Sequence, residues 1–318
     1  MGVINLRSIT NGDGKKSIKK DQGFRYFLLI SPFLVLVFLF AYFPLHGWIY
    51  SFYDFRPALG LSGSNFVGFQ WFEFLFGSQA MRNELRRVMT NTFVMSFLNL
   101  GTSLLPLFMA MFLNEMRSKR FKKSVQILTT LPNFISWILV YSMAFMLFST
   151  SGMVNTLLQN IGVTDSAIRF LDTTSRVVWF QMLGWGIWKG LGWGTIIYLA
   201  AIAGIDQELY EAAKVDGANR FQLMRHITFP GLLPTYLVLL LLGTANLLNN
   251  GLEQYFVFQN AFNRNHIEVL DLYIYNVGIA AGSTSLGTAI SMMKSVISII
   301  LLFCVNFISK KIRGESII

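Results

Sequence analysis

The chain has 318 residues, 53% hydrophobic, 15% aromatic and only 13% charged, with a formal net charge of +10 and a mean hydropathy of +0.51. That composition excludes an ordinary water-soluble domain and suits a bilayer. The basic excess flanks apolar runs, where it sets topology and meets anionic headgroups, so membrane lipid is an expected partner and nucleic acid is not.

Residues 1–25 are polar, basic and Gly-containing, and are expected to form a cytoplasmic tail and not a domain. Six apolar stretches are then long enough to cross a hydrocarbon core of about 30 Å: 26–50, 91–113, 124–148, 177–203, 230–252 and 286–308. The first is too long for a signal-peptide core and lacks a small-residue cleavage site, so it is expected to remain as an anchor. Between the first two, Gly60 to Gly68 reads as turns and Trp71 to Phe76 as a short lateral helix at the interface. In the fourth run, Gly186, Gly190 and Gly194 recur every four residues, a stripe suited to tight helix packing. Cys304 is the only cysteine, which excludes an intrachain disulfide and a multi-cysteine metal site. Runs this long and uniformly apolar predict an all-α integral membrane protein with six transmembrane helices, not a barrel. The domain is expected at 26–308, with a short cytoplasmic tail at 309–318.

Basic residues resist translocation and collect in short inner loops. With both termini cytoplasmic, the inner segments hold seventeen of the 26 Lys and Arg residues: Arg7 to Arg25, Arg117 to Lys123, Lys214 to Arg225 and Lys310 to Arg313. The outer loops 51–90, 149–176 and 253–285 hold seven, and Lys189 and Lys294 lie within spans. The polar island between the fourth and fifth spans is therefore expected on the cytoplasmic side.

That island, EAAKVDGANRFQLMRHITFPGLLP from Glu211 to Pro234, has its own helical punctuation. Asp206 is a plausible N-cap with Glu208 and Glu211 in the first turns. Gly217 is a natural C-terminal break, and Asn219 with Gln222 resembles a capping box. Phe221, Met224 and Ile227 then repeat until Pro230 ends the pattern. Two short helices joined at a glycine elbow follow. Small residues such as Ala212, Ala213 and Ala218 offer little area to lipid and favour close approach by another protein over an interfacial helix pair.

The island resembles the EAA loop of ABC importer permeases: E-A-A, three residues, Gly, nine residues, Ile, one residue, Leu-Pro. Glu211, Ala212, Ala213, Gly217, Ile227 and Pro230 stand in register, and Asp216, Ala218 and Pro234 match the sugar-importer version. Phe229 stands where Leu is usual and Met224 where Phe is common. The segments RYFLLISPFLVLVFLFAYFPLHGWIYSFYDF, NFVGFQWFEFLF, FLNEMRSKRFKKSVQILTTLP and IWKGLGWGTIIYLAAIAGIDQELYEAA extend the similarity along nearly the whole chain. They resemble the oligosaccharide and polysaccharide branch of the maltose-type carbohydrate-uptake permeases, including alginate-importer-like membrane subunits. The resemblance implies a type I ABC importer permease fold in a bacterial cytoplasmic membrane. It implies a coupling surface at Glu211, Ala212, Ala213, Asp216, Gly217 and Met224 for cytoplasmic ATPase subunits, a second, homologous permease, an extracellular solute-binding protein and an oligosaccharide substrate.

This chain carries no phosphate-binding loop: Gly14-Lys15-Lys16-Ser17 lacks the spacing and follows no strand. ATP and Mg are expected on the separate ATPase subunits, with no cofactor in this chain. No HExxH, GxSxG or paired-carboxylate arrangement occurs, and His46, His226 and His266 are scattered, so no catalytic or metal site is expected.

Polar side chains inside spans face a cavity or a partner helix. Asn246, Asn249, Asn250 and Glu253 fall at i, i+3, i+4 and i+7, which predicts one face of the fifth span. Amides suit sugar hydroxyls and serve interhelical hydrogen bonding equally well. The resemblance adds weight to the first use, since an Asn pair three apart follows the EAA loop in such importers. Trp185, Lys189 and Trp193 form a neighbouring stripe, which Trp188 adjoins; Trp188, Lys189 and Trp193 are candidate path residues, with aromatic belt or packing as the alternative for the tryptophans. Lys294 is expected to pair with a neighbouring helix rather than meet a uronate carboxylate. The competing role for the whole chain is a scaffold that docks the ATPase while a partner permease alone contacts substrate.

Overall fold

The computed structural model describes residues 13–313; Arg7 and the rest of 1–12, with 314–318, lie outside the described residues. Among the described residues, six helical stretches are long and apolar enough to cross a membrane. The chain divides into two units, one up to Tyr50 and one from Ser51 onward.

In the first unit, α1 (Asp13–Val37) begins well inside the segment expected to be a tail. It continues through a π turn at Phe38–Tyr42 into a 3-10 stretch, Phe43–Phe52, so the first span runs Gly23–Phe52. Pro32 is accommodated inside it.

The second unit opens with β1 (Tyr53–Asp54) and β2 (Asn65–Phe66), an antiparallel pair in which Tyr53 faces Phe66. The lateral helix α2 spans Gln70–Gly77. The second span is longer than the sequence suggests. α3 (Gln79–Gly101) starts at Ser78, whose side chain accepts the Met81 amide, and α4 (Leu105–Asn114) completes the span after a short break at Thr102–Leu104. Charged residues in the first turns of α3 hid its start from hydropathy.

The expected span 124–148 is not one helix. α5 (Lys119–Thr130) ends in a 3-10 turn at Leu131–Phe134, and α6 (Trp137–Phe148) starts afresh with Ser136 as N-cap. Pro132, which has no amide to donate, sits in this break. The freed carbonyls are taken by Lys189 Nζ, 3.1 Å from Pro132 O, 2.8 Å from Asn133 O and 2.5 Å from Ile135 O. A helix break beside a membrane span persists where protein groups satisfy the backbone. Lys189→Met should therefore destabilise the chain by about 2–4 kcal/mol, measured as a lower thermal midpoint in detergent, with Lys189→Arg retaining part of the loss.

α6 and α7 (Met153–Asn160) make the third span, and α8 (Val177–Ala203) the fourth, at its expected bounds. The glycine stripe is corrected. A Cβ on Gly190 would meet nothing within 4 Å, and one on Gly186 only Gln254 Oε1 at 3.7 Å. Gly194 touches Pro106 of α4, and the tight crossing is at Gly192, where a Cβ would lie 2.2 Å from Thr129 O of α5.

α9 (Gln207–Val215) and α10 (Arg220–Leu223) follow, then a π turn at Met224–Thr228 and α11 (Phe229–Ala245). The fifth span thus starts at Arg220. Pro230 does not end the helix as expected. It lies in the first turn of α11, directly after the π turn has opened the backbone.

The expected outer stretch 253–285 contains α12 (Glu253–Phe258), α13 (Arg264–Ile267), α14 (Leu270–Tyr275) and a π turn at Asn276–Ala280. Their anchor is Glu268, fully buried, whose carboxylate meets Arg87 at 2.6 Å, Arg264 at 3.5 Å and Asn276 Nδ2 at 2.6 Å. The last helix, α15 (Thr284–Arg313), crosses the π turn so closely that a Cβ on Gly287 would lie 2.4 Å from the Gly278 Cα, while one on Gly278 would be tight at 3.3 Å.

Three buried clusters hold the second unit together. One joins Met95, Val140, Met182, Tyr255 and Phe258; another Leu75, Val88, Leu248, Tyr273 and Ile290; a third Leu107, Tyr198, Ile202 and Leu232. In lipid, close fit and internal hydrogen bonds rather than dehydration drive such contacts.

Candidate functional site

The elbow at 204–230 is built by its caps. Asp206 accepts the Glu208 amide at 3.0 Å and starts α9. Gly217 ends it in the left-handed region at φ +79, which favours glycine. The Ala218 amide donates to Ala213 O at 2.9 Å and the Gly217 amide to Lys214 O at 3.1 Å, closing the helix end. Asn219 and Gln222 form a reciprocal capping box, with bonds of 2.7 and 3.0 Å. Tyr210 Oη lies 3.0 Å from Thr228 Oγ1, tying α9 to the base of the fifth span.

Around this frame Glu211, Ala212, Asp216 and Gly217 are exposed, and Ala213 is half-buried. Ala213, Asp216 and Gly217 line a hollow of about 310 Å³ in the elbow. Met224 departs from the expected surface: it packs inward against the cluster of Leu107, Tyr198 and Leu232, because the π turn that it begins shifts the helical phase. Exposed apolar side chains on the elbow are Leu209, Val215 and Phe221, with Val215 at 88% the most exposed. Val215 was not singled out by the sequence, although its place before Asp216-Gly217 was the available signal. His226 is a surface residue bonded to Gln222 O.

At the far end of the fifth span the expected helical face of Asn246, Asn249, Asn250 and Glu253 does not exist. α11 stops at Ala245, Gly251 takes φ +82, and helix resumes only at Glu253. The unwound backbone is held by Asp271, whose Oδ2 accepts the amides of Asn250 at 2.9 Å and Gly251 at 3.0 Å. The other carboxylate oxygen pairs with Lys294 of α15. Lys294 thus pairs with an element of its own chain. The sequence signal was an unmatched lysine inside the sixth span together with an aspartate in the apolar stretch Val269–Tyr275.

The break brings three of the expected residues together. Asn246, Asn249 and Asn250 line a cavity of about 270 Å³ with Asn99, Ser103, Tyr198 and Tyr236. Asn249 Nδ2 donates to Asn246 Oδ1 at 3.1 Å, and both residues are exposed. Asn250 is turned to α3, donating to Thr92 O at 3.2 Å and Ser96 Oγ at 3.1 Å. Trp188, Lys189, Trp193 and Glu253 do not line this cavity. Trp188 and Trp193 are exposed, with Phe134 edge-on to Trp193 at 5.9 Å. Lys189 is committed to the break after α5, and its ammonium also stands 5.4 Å from the Trp137 ring centroid.

Among the described residues, six helices of membrane-spanning length, two helix breaks held by charged side chains and a capped polar elbow make an all-α integral membrane protein. The chain belongs to the family described as binding-protein-dependent transport system inner membrane component, which matches residues 102–314. It is 38% identical to Protein LplB of Bacillus subtilis (strain 168) over 95% of this chain and 92% of that one. It is also 38% identical to the polygalacturonan/rhamnogalacturonan transport system permease protein YteP of the same organism, over 94% and 92%. Among solved structures, a bacterial ABC transporter involved in the import of the acidic polysaccharide alginate contains a chain that superposes with a TM-score of 0.79 at 31% identity, covering 94% of this chain and 98% of that one. The type I importer permease fold expected from the sequence is the fold observed.

Proposed function

We propose that this chain is one of two permease subunits of an ABC importer for an oligosaccharide or polysaccharide, powered by ATPase subunits that bind ATP and Mg and dock on the elbow. The observation that carries the proposal is the continuity of the fifth span. One helical run from Arg220 to Ala245, about 39 Å at 1.5 Å per residue, has the elbow at one end and the Asn246–Asn249 strip at the other. Movement of a docked ATPase against Val215, Asp216 and Gly217 would reach the amides through this rod. Both termini and the elbow would be cytoplasmic, as the basic residues require. A solute-binding protein would deliver sugar to the opposite end, at 51–90, 149–176 and 253–285. The similarity to a polygalacturonan/rhamnogalacturonan transport system permease and to a transporter of the acidic polysaccharide alginate supports a polymeric sugar as substrate.

Gly217→Pro tests the coupling. Proline cannot take φ +79 and has no amide for Lys214 O, so ATPase co-purification and uptake should fall at least tenfold, with Glu211→Ala in the same direction. Unchanged transport would refute the docking.

The scaffold alternative has its own observation: the Asn246 side chain is bonded without a ligand, accepting from Asn249 Nδ2 at 3.1 Å and donating to Leu242 O at 2.9 Å. Asn246→Ala with Asn249→Ala separates the two readings. Loss of uptake in an assembled complex supports substrate contact, whereas normal uptake and substrate-stimulated ATPase activity leave the chain as the scaffold.

A further inference from the structure

A cavity of about 740 Å³ opens behind the elbow, between the 115–126 connection, the end of α8, and helices α9 and α10. Four cations reach it from four separate places: Arg117 in the turn before α5, Lys122 on α5, Lys214 in the last turn of α9 and Arg220 at the start of α10. Glu115 is the only acidic residue in its lining. Among the described residues Arg117, Lys122 and Lys214 make no ion pair. Arg220 donates to the Glu115 carbonyl at 3.0 Å, which holds α10 to the connection but neutralises nothing. No hydrogen bond or ion pair joins α5 to α9 across the gap among the described residues.

Cations gathered in a concave site repel one another unless an anion enters. The floor of the cavity is apolar: Leu199 and its neighbours on α8 belong to the membrane span. A cationic mouth at the end of an apolar helix face has the arrangement that takes an anionic headgroup with its chain laid along the span. We propose that this cavity binds a phosphate-bearing anion, either an anionic phospholipid headgroup or a soluble phosphate compound, which bridges Lys122 and Lys214 and braces the elbow against α5. This rests on the proposed cytoplasmic placement of the elbow.

The test uses the assembled transporter, reconstituted in vesicles of equal parts phosphatidylcholine and phosphatidylglycerol, then extracted and washed in detergent. Retained lipid is read by mass spectrometry and bound inorganic phosphate by equilibrium dialysis. The expected result is selective retention of phosphatidylglycerol, or saturable phosphate binding, lost about 30-fold in Lys122→Gln/Lys214→Gln, as two headgroup-level charges predict. Lys119→Gln/Lys123→Gln removes the same charge from residues outside the cavity lining and should bind as the parent does. Phosphatidylglycerol that resists displacement by millimolar phosphate identifies the lipid; phosphate binding without lipid retention identifies the soluble anion. Equal binding by the parent and both double variants, equal loss in both variants, or no binding of either probe overturns the proposal. ATPase co-purification, scored on the same sample, separates its failure from failure of the docking: ligand kept with ATPase lost refutes only the docking, and the reverse refutes only the site.

Discussion

Asp271→Ala is expected to abolish uptake while the chain still inserts. The carboxylate holds two backbone amides of the 246–251 break at 2.9 and 3.0 Å and pairs with Lys294. Removing it leaves two amides without their acceptor, about 1–3 kcal/mol each, and an uncompensated ammonium whose side chain is only 13% exposed. Loss of one partner from a buried pair costs about 3–5 kcal/mol. The break would re-form as helix or collapse onto Lys294, and either outcome removes Asn246 and Asn249 from their cavity. Transport assays on Asp271→Ala should show at least a hundredfold loss. Asp271→Ala with Lys294→Met should regain stability, measured as the thermal midpoint, but not transport, because the amides stay unmade. Stability unchanged in the single variant would refute the account.

Gly192→Val is expected to be the most damaging single change in α8. The nearest neighbours of an added Cβ are backbone atoms, Thr129 O at 2.2 Å, Thr129 C at 2.3 Å and Thr130 N at 2.6 Å, whereas ordinary contact begins at 3.4 Å. No side chain can yield, so α5 and α8 must part by roughly 1 Å, at a cost of about 3 kcal/mol or more. The same movement stretches the Lys189 bonds to Pro132, Asn133 and Ile135, which lie just beyond Thr129 in the chain. Two supports therefore fail together, and the expected result is little folded protein in the membrane fraction. Gly190→Ala, which meets nothing within 4 Å, should be silent. Normal yield of Gly192→Val would show that the crossing is looser than its geometry.

The two breaks follow one rule. Each leaves backbone groups without helical partners, and each is satisfied by a charged side chain from elsewhere in the chain: Lys189 supplies donors to carbonyls, and Asp271 supplies an acceptor to amides. The charge on Asp271 is balanced by Lys294, so neither lysine inside a span is free to answer a substrate carboxylate.

Hydropathy and helical punctuation were local, and so they could be read in the chain. Six spans, the lateral helix 70–77, the Asp206 cap, the Gly217 turn and the Asn219 capping box depend on residues within a turn or two of one another. The EAA pattern carried the family because its spacing is itself a local helix–turn–helix constraint. What the sequence could not show was where a helix stops for a partner distant in the chain. Asn246 to Glu253 kept a helical spacing, yet the chain unwinds there because Asp271, some twenty residues on, accepts its amides. The run 124–148 was apolar throughout, yet breaks at Pro132 because Lys189 takes the carbonyls. Of the periodic fourth-span glycines, Gly186 and Gly190 proved loosely packed and only Gly194 approaches a neighbour, Pro106, while Gly192, off the stripe, bears the crossing with α5. Sequence by itself determined the membrane class, the number of spans and the elbow's caps, since those follow from each residue's own preference for lipid, water or a turn, while several span bounds moved. Tertiary structure decided the breaks, the crossing and the cavity around Asn246, because each is stabilised by groups that meet only when distant helices pack.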